Sequence, residues 1–211
     1  MKYLIFGLLL MSTTLFAQND KKAQDILNKI SADVKALNSF YIEFNMDISN
    51  PATGEKSNDK GTGFVKGNKY YTSFGKNTLI CNGLKVWTVV KDEKVTYQAD
   101  VDSNDDALTP KKIMTIWESG FKSKYEKETT IDGKKVHQIS LFPIKPGEVN
   151  YHTITLYVTS DSNELYQGIL KTKDGGIMKY TITKLEKNKA VEDAKFVYNP
   201  QNFPGYQLVK D

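Results

Sequence analysis

The hydrophobic pattern changes period soon after the chain's first stretch. Asp20–Leu37 sets Ala23, Ile26, Leu27, Ile30, Val34 and Leu37 at helical spacing, with Lys21, Lys22, Lys29 and Asp33 off that stripe. This predicts an amphipathic helix that needs a partner surface. From Phe40 the period is two: Phe40, Ile42, Phe44, Met46 and Ile48 alternate with Tyr41, Glu43, Asn45, Asp47 and Ser49, as in a half-buried strand. Asn50–Gly54 breaks the alternation, and the polar Lys56–Lys60 reads as a loop. Short runs then recur at regular spacing: Gly61–Lys66, Tyr70–Phe74, Thr78–Cys81, Lys85–Val90 and Lys94–Val101. After an interruption come Phe121–Thr130, Lys135–Phe142, Tyr151–Thr159, Leu165–Lys171, Ile177–Leu185 and a last piece, Lys195–Tyr198. Turn chemistry separates them at Gly67-Asn68, Asp132-Gly133 and Asp174-Gly175-Gly176, and Asn82-Gly83 signals a type I′ hairpin. The pattern predicts about ten or eleven antiparallel strands, in a sandwich or a curled, barrel-like sheet.

The interruption, Thr109–Gly120, predicts a second helix. Thr109 suits the cap, Pro110 the first helical position and Gly120 the stop. Ile113, Ile116 and Trp117 share one face. That face either covers the mouth of an apolar cavity or packs as an ordinary connection on a sheet face, and periodicity allows both. A strongly curved sheet has a concave apolar side, for which helices are the natural cover. Phe40, Phe44, Met46, Phe64, Trp87, Val89, Ile154, Leu156, Ile169 and Ile182 are the candidates for that side. Together with Ile113, Ile116 and Trp117 they form the expected ligand-binding set, although core packing accounts for most of them. A pocket of this lining suits acyl chains or other apolar ligands.

Composition narrows the function. All 29 basic residues are Lys, against 25 acidic residues, for a net charge of +4. With no Arg, the usual bidentate reader of bases and phosphates is missing, so a nucleic-acid partner is not expected. Residues 1–17 read as a signal peptide: Lys2, the apolar Tyr3–Leu10, and Ala17 before a cut at Gln18. That run is short for a membrane span. The expectation is an exported, soluble, monomeric chain folded as one domain over 18–211. Cys81, the single cysteine, lies in an apolar strand and reads as a buried, inert residue that can form no internal disulfide.

Chemistry-bearing motifs are scarce. His137 and His152 each sit within a strand, could meet only across neighbouring strands, and lack further ligands at metal spacing. Gly61-Thr62-Gly63 lacks the strand-to-helix setting of a phosphate loop, and Asp102, Asp105 and Asp106 lack EF-hand spacing. Glu126 and Glu128 lie on one strand face and match no reaction. No catalytic residue, metal or cofactor is expected.

The order of several pieces resembles the periplasmic outer-membrane lipoprotein carrier family, LolA, in its Bacteroidetes-like form. The resemblance runs from Ala23 to the C-terminus. It is carried by the opening helix running into Phe40-Tyr41-Ile42-Glu43-Phe44, by Gly61–Lys66, and by the hairpin Leu79–Trp87. Leu108-Thr109-Pro110, Ile139–Pro143, Ala194–Tyr198 and Pro204-Gly205 complete it. The resemblance implies an α+β fold, a half-open antiparallel β-barrel with a helical lid over a hydrophobic cavity. It implies a periplasmic chaperone that takes acylated lipoproteins from an inner-membrane transporter to an outer-membrane acceptor. The alternative within the same fold is a periplasmic lipid- or protein-binding sensor or structural module that shuttles nothing. One departure stands out: proteobacterial members hold the lid through an arginine, whereas here Gly67 and Asn68 lie near that place, and Asn82 replaces the hairpin aspartate.

Overall fold

The structure, a computed structural model, describes residues 20–101 and 114–210. The expected signal peptide therefore lies outside the described residues. The first helix, α1, spans Lys21–Ala36. The Asp20 carboxylate caps it, accepting hydrogen bonds from the backbone N–H groups of Lys22 and Ala23 at 2.9 and 3.3 Å. Its buried residues are Ala23, Leu27, Ile30, Ser31 and Val34, which is the expected stripe with a serine set into it.

Among the described residues twelve strands follow: β1 (Ser39–Asn50), β2 (Glu55–Lys66), β3 (Lys69–Phe74), β4 (Asn77–Cys81), β5 (Lys85–Val90), β6 (Val95–Asp100), β7 (Phe121–Ile131), β8 (Lys134–Pro143), β9 (Tyr151–Thr159), β10 (Leu165–Thr172), β11 (Ile177–Lys187) and β12 (Gln207–Lys210). They form one sheet in the order β12-β6-β5-β4-β3-β2-β1-β11-β10-β9-β8-β7. Hairpins make most neighbours antiparallel, β1 and β11 pair antiparallel across the middle of the sheet without one, and of these strands β12 alone joins in parallel, on β6. The two edges, β12 and β7, do not pair with each other, so the sheet is not closed.

One apolar cluster unites α1 with Phe40, Ile42, Val65, Tyr70 and Cys81 from one wing and Ile139, Leu141, Ile154, Leu156 and Val158 from the other. On a flat sheet, β4 and β8 would stand about 34 Å apart, seven steps of roughly 4.8 Å. Curling brings both wings onto the same cluster. Bulges at Thr183 in β11, opposite Glu43/Phe44, at Tyr125/Lys127 in β7 and at Leu165/Gln167 in β10 provide the bends. In form this is a half-open barrel, concave on the side of α1.

Four expectations need correction. Lys56–Lys60 is strand rather than loop: it pairs residue by residue with Asn45–Ser49 of β1, although its side chains are mostly exposed. Backbone pairing alone carries this strand, so hydrophobic alternation gives no sign of it. The Asn82-Gly83 hairpin is correctly placed, but it is not type I′, which needs positive φ at both central residues. Gly83 has φ +90° and Asn82 does not share the region. Instead the Asn82 side-chain carbonyl accepts from Leu84 N and Lys85 N at 2.9 and 2.8 Å, making a three-residue loop. Lys195–Tyr198 is not a strand; Asp193–Phe196 forms a 3-10 turn, and β12 lies beyond it. The second helix is not seen in the described part of Thr109–Gly120. Only one 3-10 turn, Ile116–Glu118, is present there before Gly120, whose φ of +80° ends it as expected.

The convex face of β3–β6 has its own cover. Trp87 stacks on Tyr198 (6.2 Å, 20°), Tyr198 on Phe203 (5.4 Å, 11°), and the Thr96 hydroxyl donates to Tyr198 Oη at 3.2 Å. Asp193 pins this strap through Lys66 and Lys69, at 2.8 and 2.7 Å. Hydrogen bonds from Lys66 and then Lys69 hold the Asp193 carboxyl at about 2 against its ordinary 3.8.

A depressed folded-state pKa favours the ionised form in the fold. The Asp193 contribution is therefore present above about pH 4 and lost as pH falls towards about 2. Asp193→Asn should flatten the fall of the urea midpoint across that window, and an unchanged slope would show that the clamp contributes nothing. A second prediction concerns Gly61, which faces Phe44 across β1–β2. A Cβ there would overlap the tip of the Phe44 ring at Cζ. Gly61→Ala should cost about 1–3 kcal/mol in urea unfolding, and adding Phe44→Leu should recover most of it. A loss that Phe44→Leu leaves untouched would place the strain elsewhere.

Candidate functional site

Residues paired directly across antiparallel strands lie on the same face, so the registers sort the expected ligand-binding set. Phe40, Phe44, Met46, Ile182, Ile154 and Leu156 lie on the concave side. Phe64, Trp87, Val89 and Ile169 do not. Phe64 pairs with Tyr41 and Tyr71, Trp87 with Ile80, and Val89 with Thr78, all on the convex side, where Trp87 and Val89 join the separate cluster around Tyr198. Ile169 pairs with Thr155 and Lys179, also convex. A single inner face was expected; both faces of this sheet carry apolar residues because the C-terminal strap gives the convex side a core of its own. Ile116 is half-buried and Trp117 buried against the concave cluster. Ile113 lies outside the described residues.

Part of the concave face is filled. The Trp117 indole N–H donates to the Leu27 carbonyl at 3.1 Å and to Ser31 Oγ at 2.9 Å. Met114 is buried beside it. Lys35 and Glu118 pair at 2.7 Å. Hydrogen bonds from Lys35, then from Ser31, hold the Glu118 carboxyl below its ordinary value against the opposing effect of burial. Indole, hydroxyl, carboxylate and ammonium thus form one relay tying Met114–Glu118 to α1. At its other end α1 is anchored to β7: Asp20 N donates to Ser123 O at 3.1 Å, and Tyr125 N donates to the Asp20 carboxylate at 3.2 Å. This is a fastening made without arginine. Ser31 carries a signal in the sequence, since it falls four residues after Leu27 on an otherwise apolar stripe. A polar residue placed there needs a buried partner.

The remaining concave surface lies over the far ends of β1, β10 and β11. Phe44, Met46, Ile182, Leu170 and Tyr180 share it by register. Phe121 and Tyr151 stack near its rim (6.2 Å, 20°). Tyr180 is 38% exposed, yet burial raises its hydroxyl above the ordinary value. Both hold for a side chain that is walled by protein on several sides and still open to solvent. Burial raises Tyr151 likewise. The described residues thus set half-buried apolar side chains beside the exposed Tyr180 on this part of the concave face. A depression of about 340 Å³ is lined by Leu165, Ile182 and Leu185 as well as by Lys134, Glu164, Tyr166 and Lys184, and is polar and apolar in about equal measure. Beside it Tyr166 donates to Asp132 at 2.6 Å, which pushes its hydroxyl up to about 12.

The histidines do not meet. His137 sits opposite Val158 and lies 3.3 Å from Tyr125 Oη, while His152 is exposed beside Thr153 at the start of β9. Cys81 is buried within the concave cluster, as expected.

The model of the family described as outer membrane lipoprotein carrier protein LolA matches residues 65–199. The chain belongs to the LolA family. The match takes in the greater part of the chain, from the end of β2 to the C-terminal strap. No curated protein matches the sequence. Among solved structures, an uncharacterized conserved protein from Thermus thermophilus shares the fold at TM-score 0.61 and 9% identity, covering 90% of this chain and 100% of its own. A LolA superfamily protein from Nitrosomonas europaea aligns at TM-score 0.42 and 14% identity, over 83% of this chain and 97% of that one. The lipoprotein LppX of Mycobacterium tuberculosis aligns at TM-score 0.42 and 14% identity, over 82% and 99%. Those two scores are too low to add weight, and membership rests on the family model. No helix among the described residues is long and apolar enough to cross a membrane.

Ser31→Ala removes the shorter of the two hydrogen bonds made by the Trp117 indole and the donor to Glu118. It should cost about 1–3 kcal/mol in urea unfolding, whereas Lys35→Ala, which breaks an ion pair with an exposed partner, should cost under about 1 kcal/mol. Equal costs would show that the relay is not centred on Ser31.

Proposed function

We propose that this LolA-family chain is a carrier that binds the acyl chains of lipoproteins on its concave face and moves them between membranes across the periplasm. In this reading residues 1–17 direct export, an inner-membrane transporter loads the cargo and an outer-membrane acceptor receives it. The observation that supports the reading is the apolar surface on the concave face over β1, β10 and β11, with Tyr180 exposed in it. Acyl chains cannot cross water uncovered, since each exposed CH₂ costs about 0.8 kcal/mol. A carrier must cover that surface and later release it, which requires apolar walls and no reacting group. The segment Met114–Glu118, fastened to α1 by a few hydrogen bonds and one ion pair, is a cover that can be undone at moderate cost. Phe40, Met46, Ile154, Leu156 and Trp117 are buried and serve as walls, whereas Phe44 and Ile182 are half-buried beside the exposed Tyr180.

The test is binding of a triacylated lipopeptide, read by native mass spectrometry, followed by transfer from inner-membrane vesicles to an acceptor membrane. Wild type should bind stoichiometrically and release the lipopeptide from the vesicles. Tyr180→Lys places a charge in the concavity at a partly exposed position. It should weaken retention at least about tenfold, the equivalent of about 1.4 kcal/mol, and shift the melting temperature by only a few degrees. No binding by a folded wild type would overturn the reading. Binding without transfer would point to a sensor or lipid-binding module.

A further inference from the structure

Among the described residues, buried polar side chains are almost all satisfied. Thr78 donates to Ser73, Thr96 to Tyr198 and Gln167 to Thr181. Two hydroxyls are buried with no hydrogen-bond partner, those of Ser160 and Thr72. Ser160 lies in the turn after β9, whereas Thr72 sits in mid-strand and its side chain is only 8% exposed. A buried hydroxyl left in this state is a standing cost and calls for an explanation.

Position supplies one. Thr72 pairs with Gly63 of β2 and Leu79 of β4, and Gly63 pairs with Ile42 of β1. Ile42 and Leu79 both belong to the concave cluster, so the Thr72 hydroxyl lies on the concave floor. Gly63 places no side chain beside it, and Ile42 fills that place: a Cβ at Gly63 would stand 3.5 Å from Thr72 Oγ1 and only 3.1 Å from an Ile42 methyl. One isoleucine side chain is therefore what packs beside the hydroxyl. On β1, the next concave positions after Ile42 are Phe44 and Met46, which lead onto the open surface around Tyr180.

We propose that Thr72 is the polar anchor of the concave face, its hydroxyl donating a hydrogen bond to the carbonyl that joins an acyl chain to its head group. The proposal rests on the acyl-carrier reading and adds the ligand class: chains attached through a carbonyl, in preference to chains attached as ethers. A hydroxyl donor matches a carbonyl oxygen, which is a strong acceptor, while the rest of the chain offers only CH₂ groups to the apolar residues beyond. In the free protein the hydroxyl waits under Ile42, and the bound chain uncovers it by displacing that side chain.

The experiment compares two lipopeptides of identical peptide and chain length, one with ester-linked chains and one with ether-linked chains, against wild type, Thr72→Val and Thr72→Ser. Valine has nearly the shape of threonine and lacks the hydroxyl; serine keeps it. Urea melts of each variant confirm that the fold is intact. Wild type and Thr72→Ser should prefer the ester by several-fold, up to about tenfold for one hydrogen bond. Thr72→Val should lose that preference by weakening the ester alone. Equal binding of ester and ether by wild type, or a Thr72→Val loss shared by both ligands, overturns the proposal and leaves the carrier reading intact. Failure of wild type to bind either ligand overturns the carrier reading and this proposal with it.

Discussion

The contact on which the concave face depends is the hydrogen bond from the Trp117 indole to Ser31 and to the Leu27 carbonyl of α1. A curled sheet of twelve strands with two free edges exposes more apolar surface than one 16-residue helix can cover. Trp117 and Met114 extend that cover, and the relay through Ser31, Glu118 and Lys35 fixes where they sit. Buried N–H and hydroxyl groups have no alternative partner in such a place, so satisfying them gives one definite position rather than many similar ones. Apolar contact alone would let the same residues slide.

The two faces of the sheet divide the work. The convex side is closed by the strap from Asp193 to Tyr206, with aromatic stacking, Lys195 set over the Tyr71 ring at 4.0 Å, and the Asp193 clamp. The concave side is left incompletely covered, with small residues at Gly61, Gly63 and Gly168 along the floor.

Most of the fold was legible because its hydrophobic periods are clean. The α1 stripe and the alternation of Phe40 to Ile48 set the helix and the central strand, and Gly120 ended its element as read. Legibility failed where a side chain's role depends on something distant. Phe64, Trp87, Val89 and Ile169 alternate as convincingly as Phe40 or Leu156, but alternation cannot say which of two apolar faces is concave. That is decided by a strap more than a hundred residues beyond Trp87. Lys56–Lys60 forms a strand through backbone pairing alone. Trp117 was read as an apolar face residue, and its N–H donation to Ser31, 86 positions earlier, is a relation that no local pattern records.

The central claim is that the concave face, and not the convex one, receives the acyl chains. A triacylated lipopeptide with a photoreactive group at the end of one acyl chain tests it most directly, with the crosslinked residues mapped by mass spectrometry. The account predicts crosslinks to Phe44, Met46, Ile182 or Tyr180 and none to Trp87, Val89 or Ile169. Crosslinks concentrated on those three convex residues, or spread evenly over both faces, would contradict it.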